Sequence, residues 1–469
     1  MTAETTGRGR ANAPAQETTA AMLRRRAAAL FPQDAASRVG AWHVTLGVVF
    51  VLSAAALSLA RQGGPGALDS IWAEDGSHYQ FAFNHDAIHA LFTPVNGYLL
   101  LVQRIVLSVI ALFPVAWAAA LMAVFGALAS SLCALLVYHA SAALVPSRVA
   151  RACIVLPMVI IPFGESEVGN NVVDTQWYLT YSLFWMLLWN PRTRVRQALA
   201  AVVIFAAVGS DPLALAFLPL LGLRLWSRPL RESAWQLGAV AAGAAFQGVG
   251  VVRGALATRP PVHDYSASFA LHGYVRYVAG TTLASSRELA HLGLSGAFAA
   301  EFTGLLAALA VACAALLLVN RAANWPLAAI CAVSGLGFYC LVTMQGGAYT
   351  DRYAVVPLLL LITALAVLSS PVESRRGTRG AAMRTYLPLA ALSVLVVANL
   401  AANYRGGSEP RATAPSWSSQ VTAGRAACQI PGTREARLQV APGGGWHVTV
   451  PCSRLTGLPA KSASAPRRR

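Results

Sequence analysis

Apolar runs about as long as a bilayer is thick recur along this chain, with arginines gathered in short clusters between them; a bundle of membrane helices is the fold that accommodates such a pattern. The plainest runs are Ala41 to Ala60, Pro114 to Tyr138, Trp235 to Val252, Trp325 to Thr343 and Tyr353 to Leu368. Ala150 to Ile161, Thr175 to Trp189, Ala198 to Val208, Pro212 to Leu225, Ala299 to Val319 and Tyr386 to Ala402 extend the series to about 11 crossings. Composition agrees: 56% of residues are hydrophobic and only 12% charged, against about 25% charged in a soluble domain. A net charge of +17 would suggest nucleic acid in a soluble protein. Here the arginines lie between apolar runs, so they are read as topology signals and no nucleic-acid partner is expected.

Arg148 and Arg151, then Arg192, Arg194 and Arg196, then Arg224, Arg228 and Arg231, then Arg321, then Arg375, Arg376 and Arg379 fall on one side of the alternating spans, which makes that side the cytoplasm. The chain therefore reads as a multi-pass protein of the plasma (inner) membrane with a cytoplasmic N-terminus and an extracytoplasmic C-terminus. Residues 1–40 are expected to be a disordered cytoplasmic tail, 41–404 the transmembrane domain, and 405–469 an extracytoplasmic tail. Gly97 to Phe113, interrupted by Arg104 and followed by Pro114, is expected to lie as an amphipathic helix at the outer interface.

The tail carries its own fold signal. Trp417, Val421 and Cys428 share a helical face with Ser416 as N-cap, while Leu438/Val440 and Trp446/Val448/Val450 alternate around a Pro-Gly-Gly-Gly turn, as in a hairpin. Five cysteines, Cys133, Cys153, Cys313, Cys331 and Cys340, lie in apolar spans; Cys428 and Cys452 lie outside, where disulfides persist, and are expected to pair. The fold expected is thus an all-α polytopic membrane protein with a small α+β extracytoplasmic tail.

The polar island Ile71 to Tyr98 is where chemistry is expected. Glu74 and Asp75 follow Trp72 and precede Gly76, which places two carboxylates at a bend beside the bilayer. Such a pair can serve as general base or as oxygen ligands for Mg²⁺ or Mn²⁺. In the base reading Asp75 is favoured, because Gly76 lets the backbone bend close to a ligand, and Glu74 holds metal or an arginine. A phosphate-bearing substrate needs guanidinium groups, and Arg104, Arg276, Arg287 and Arg352 are on that side. Amides and aromatic planes come from Asn170, Asn171, Gln176, Trp177 and Tyr178, with Tyr98 closing the first loop. Asp211, before Pro212 and between two abbreviated spans, is expected to cap the second of them and to line a cavity. His85 and His89 have the i, i+4 spacing of a helical zinc site, although the more ordinary reading is an interfacial helix with histidines toward water.

WAEDG at Trp72 to Gly76, LFTPVNGYLLLVQR at Leu91 to Arg104, ESEVGNNVVDTQWY at Glu165 to Tyr178 and TDRYAVVP at Thr350 to Pro357 together resemble bacterial, mainly actinobacterial, multi-spanning proteins related to GT-C glycosyltransferases. The similarity covers roughly Ala41 to Ala402. It implies a polyprenyl-phosphate-linked sugar donor, a cell-envelope acceptor outside the cytoplasm, and an acidic motif in the first outer loop, which maps onto Glu74 and Asp75. Glu-Asp stands where many such enzymes have Asp-x-Asp, so catalysis by metal and catalysis by base alone both remain open. The alternative from a different class is a transporter or flippase of lipid-linked saccharides, whose path would also be lined by polar groups and broken helices.

Overall fold

The computed structural model describes residues 18–34, 40–161, 168–254, 266–283, 324–346, 351–370, 379–405 and 411–456. These are helical almost throughout, with a single two-stranded sheet among the described residues. Five helical stretches are long and apolar enough to cross a membrane: Ala41–Ala60, Val115–Ala143, Leu230–Gly254, Trp325–Met344 and Arg352–Ser369. The chain is therefore a helical membrane protein. The other described crossings fall on shorter helices or, at Tyr386 to Ala402, on a shorter apolar stretch of a longer helix, and Ala299 to Val319 lies outside the described residues.

In order, the helices are α1 (Thr19–Ala28), α2 (Ala41–Ala60), α3 (Ala73–Asn84), α4 (Ala87–Phe92), α5 (Leu101–Ile110), α6 (Ala118–Ala140), α7 (Arg148–Val159), α8 (Thr175–Leu188), α9 (Arg194–Ser210), α10 (Leu218–Ser227) and α11 (Leu230–Gly254). They continue with α12 (Ala267–Gly273), which runs into a π-helical turn Tyr274–Gly280, then α13 (Trp325–Gly346), α14 (Asp351–Ser369) and α15 (Arg379–Ala402). The tail contributes α16 (Trp417–Ala427), β1 (Glu435–Gln439), β2 (His447–Pro451) and α17 (Cys452–Thr456).

Buried arginines tie the helix ends into two levels. At one end Arg61, just past α2, donates to the carbonyls of Ile161, Asn403 and Tyr404, so the exits of α2, α7 and α15 lie together. At the opposite end Arg224 of α10 is fully buried and donates to the carbonyls of Leu187, Leu188 and Trp189, to Asn190 Oδ1 and to Ser233 Oγ. A cation on the last carbonyls of α8 satisfies acceptors that the helix leaves unpaired and complements its dipole. The helix it closes is buried along almost its entire length, which makes α8 the axis of the bundle.

Several elements depart from the sequence reading. The N-terminal segment is not disordered throughout: Thr19–Ala28 is a helix capped by Thr18, and the Leu30 and Phe31 side chains after it enter the main core. The expected outer loop between Arg253 and Phe298 contains α12 and its π turn, whose Ala270, Val275 and Val278 are buried. Glu74 and Asp75 are not at a bend but in the first turn of α3, where negative charge suits the exposed N–H groups.

The tail is built as expected and placed as the sequence did not foresee. Ser416 caps α16, Cys428 and Cys452 are bonded with Cα atoms 5.5 Å apart, and the strands pair antiparallel with Leu438 opposite Val448 and Ala436 opposite Val450. Trp446 is the exception, exposed in the turn rather than on the inner face. Val440, Val448, Val450, Trp417 and Leu455 form one apolar core with Ile71, Tyr79 and Leu107 of the α3 to α5 region. Gln80 Oε1 accepts from Thr449 N (2.7 Å), Val115 O from Trp417 Nε1 (2.8 Å), and Ala111 O from Arg454 (2.8 Å). The tail is thus a clamp on α3 rather than an appended unit.

Candidate active site

The site is assembled at the end of the bundle where the tail sits, from the first turn of α3, the turn before α8, the start of α14 and the entry to the tail. The turn at 170–174 is the foundation. Asn170 adopts a positive φ of 54° and exchanges two hydrogen bonds with Ser58, both 2.8 Å, which fastens the turn to α2. A β-carbon on Gly126 of α6 would fall 2.6 Å from Asn171 O, so only glycine lets the turn approach that helix. Asn171 and Asp174 bond reciprocally: Asn171 Nδ2 donates to Asp174 Oδ2 at 2.8 Å, and Asp174 N donates to Asn171 Oδ1 at 2.9 Å. Trp177 Nε1 donates to the other carboxylate oxygen at 2.9 Å. Burial raises the Asp174 pKa above the ordinary carboxylate value, against the pull of Arg352 and of its two donors.

Asp75 is seated against this turn. Its two oxygens accept from Val172 N (2.9 Å) and Val173 N (2.8 Å), and only 1% of the residue is exposed. Burial pushes its pKa up to about 7, opposed by the two backbone donors and by Arg411. In this geometry no face of the carboxylate is open to an acceptor hydroxyl. It anchors α3 to the turn. Gly76 also has a different role from the one expected: a β-carbon there would come within 2.9 Å of Val448 Cγ2, so the glycine admits the tail hairpin rather than a ligand.

Glu74, its neighbour, points elsewhere. Oε1 meets Arg352 Nη1 at 3.1 Å, and the two side chains remain 30% and 26% exposed, so this acid is reached from outside. Its second oxygen is buried without a protein partner. The Arg352 guanidinium also lies over Tyr353, whose ring stands edge-on to Trp177 at 6.0 Å. The side chain of Asp351, next to Arg352 in the chain, lies outside the described residues. Tyr98 is close enough to feel Asp211, Arg352, Tyr353 and Asp174, and burial, then Asp211, raises its pKa.

Further polar atoms at the start of α3 and on α3, α5 and α8 are buried without a partner. Trp72 Nε1, Tyr79 Oη, Gln103 Oε1 and Gln176 Oε1 are buried with no hydrogen bond, as are Nε and Nη1 of Arg104. Buried polar groups are nearly always satisfied by protein or ordered water, so each of these atoms calls for a partner from outside the chain. Arg104 is only 3% exposed and its guanidinium lies 4.4 Å from the centroid of Phe81. Burial lowers its pKa to about 10, and burial followed by the Arg104 charge lowers that of His78 to about 3, so the imidazole is neutral. Arg276, by contrast, is exposed over Tyr277, and Arg287 lies outside the described residues.

Asp211 caps the 3-10 turn Pro212–Phe217 through Leu213 N at 2.8 Å, as expected of a residue before proline. Gln247, which the sequence reading passed over, repairs the break in the helix. Its amide donates to the carbonyls of Leu99, Val208 and Gly209 and accepts from Leu99 N. Arg411 was also missed. It is 2% exposed, donates to Gly169 O (2.6 Å) and Gln62 Oε1 (3.2 Å), lies over Trp72, and supplies positive charge to Asp75, Asp174 and Glu74.

The donor set does not fit a divalent cation shared by Glu74 and Asp75. Asp75 is turned onto two N–H donors and Glu74 onto a guanidinium, and among the described residues no three His, Cys, Asp or Glu side chains are grouped to hold a metal. The zinc spacing likewise dissolves: His85 ends α3, Asp86 caps α4 through His89 N, and the two imidazoles stack 5.0 Å apart. No protein-family model matches the chain, and no curated protein matches it in sequence.

Proposed function

We propose that the protein is a membrane glycosyltransferase of the GT-C type, which moves a sugar from a polyprenyl-phosphate carrier to an acceptor of the cell envelope on the extracytoplasmic side. The observation that carries this reading is the meeting of Glu74 and Arg352, 278 residues apart, in a partly open site where the second Glu74 oxygen has no protein partner. Glu74 is the base. Its carboxylate takes the proton of the acceptor hydroxyl as the hydroxyl oxygen bonds to the anomeric carbon, and the bond from that carbon to the carrier phosphate breaks with its electrons going to the phosphate.

The leaving phosphate needs positive charge already in place. Arg104, buried and lacking an anion, and Arg352, released from Glu74 when the acid turns to the acceptor, supply it. Asp75, Asp174 and Arg411 hold the first turn of α3 in position, and Trp177 and Tyr353 supply aromatic planes. The side follows from the tail: a disulfide and the site share one end of the bundle, while the arginine clusters at 192–196 and 224–231 lie at the other. This arrangement supports a cytoplasmic N-terminus.

Purified protein in liposomes, supplied with a series of polyprenyl-phosphate sugars and scored for both sugar transfer and lipid translocation, tests the proposal. Transfer that Glu74→Gln abolishes supports it. Translocation without transfer, insensitive to Glu74→Gln, overturns it in favour of a flippase.

A further inference from the structure

The end of the bundle opposite the site carries a helix with no part in the proposed chemistry. α1 lies against α10, and the segment after it is firmly moored: Arg228 donates to the carbonyls of Ala28 and Phe31 at 2.8 Å each, Asp34 pairs with Arg196 at 2.6 Å, and Phe31 is fully buried with Arg224 over its ring. The helix itself is held by less. Ala27 is its one buried residue, while Ala20 and Leu23, which continue the same face at helical spacing, are exposed, Leu23 by 49%. An apolar strip therefore begins in the protein and runs off its edge. Arg24, Arg25 and Arg26 are exposed alongside it.

The surroundings state what lies beyond that edge. Trp226 in the last turn of α10 and Trp42 in the first turn of α2 are 48% and 68% exposed, as aromatic side chains are at a membrane interface. Arg148, Arg192, Arg194 and Arg231 at the starts of their helices are exposed at the same level.

We infer that α1 is a membrane-surface helix whose arginines, with the collar of helix-start arginines beside it, bind anionic phospholipid headgroups of the leaflet at this end. Leu23 and Ala20 enter the acyl boundary while the guanidinium groups reach the phosphates. The inference does not depend on the transferase reading.

The test uses the full chain in nanodiscs of mixed phosphatidylglycerol and phosphatidylcholine, with co-purified lipid quantified after extraction into detergent. Each arginine at an anionic surface contributes about five-fold, so Arg24→Ala, Arg25→Ala and Arg26→Ala together should lower the preference for phosphatidylglycerol by an order of magnitude or more. The same three positions changed to lysine should restore it, since an interfacial point charge suffices, and raised salt should weaken it in the wild type. Equal lipid preference in wild type and alanine variant, or a lysine variant that fails like the alanine one, overturns the inference.

Discussion

Two buried arginines at opposite ends of the same bundle show what distinguishes a structural joint from a site. Arg224 spends its donors on three backbone carbonyls, Asn190 and Ser233, and no nitrogen of its own guanidinium is left over. Arg104 is almost as deeply buried, yet Nε and Nη1 meet no acceptor, and Gln103 beside it in sequence carries an orphan oxygen of its own. Burial is equal and satisfaction is not. Evolution of a joint removes unpaired donors because each costs free energy; a site keeps them for a ligand.

The largest effect should come from the acid in the unsatisfied region. Glu74→Gln keeps the volume but removes the proposed base, so sugar transfer should fall by about 10²- to 10⁴-fold with the thermal midpoint nearly unchanged. If the variant instead unfolds with activity per folded molecule intact, Glu74 belongs with the joints.

Paired substitutions of the two arginines sharpen the contrast in stability. Arg224→Met strands several carbonyls and should cost about 3 to 5 kcal/mol in detergent unfolding, whereas Arg104→Met removes a cation that has no anion and should change stability by about 1 kcal/mol or less. Equal losses would mean that Arg104 is a joint whose partners the comparison has overlooked.

A third experiment asks how far the site leans on the tail. Cys452→Ser opens the Cys428 to Cys452 bridge, which should lower the stability of the tail by about 3 kcal/mol. Because the hairpin packs on Gly76 and Gln80, transfer should fall with it, while proteolytic protection of the Arg224 end stays as in the wild type. Unchanged transfer would show that the tail covers α3 without holding it.

The smallest effect is a pH dependence. Asp75 titrates at about 7 when folded and at 3.8 in the open chain, so between those values the folded protein holds a proton that the unfolded chain has lost. Stability therefore falls as pH rises through that window. Asp75→Asn should flatten the slope of thermal midpoint against pH without abolishing it, since burial raises Asp174 in the same direction. A slope as steep in Asp75→Asn would place the titration elsewhere.

Much of this was legible because membrane helices and small disulfide units write themselves locally. The apolar runs of α2, α6, α11, α13 and α14, the Ser416 cap, the strand alternation through Val448 and Val450, and the pairing of Cys428 with Cys452 each follow from residues close in sequence and from the solvent they face. What two adjacent acids do could not be settled that way. Glu74 and Asp75 are alike to any local rule, and in a helix they diverge by about 100°. One meets the N–H groups of Val172 and Val173 and becomes an anchor; the other meets Arg352 at an opening. Gly76, read from the sequence as room for a ligand, is room for Val448 of a tail some 370 residues away in the chain. Hydropathy and helical period act over a few turns, and so the sequence by itself determined a helical membrane protein with a disulfide-tied tail. Burial, charge pairing and the pKa values they set depend on which distant segments arrive at the same place, and only the tertiary structure decided that.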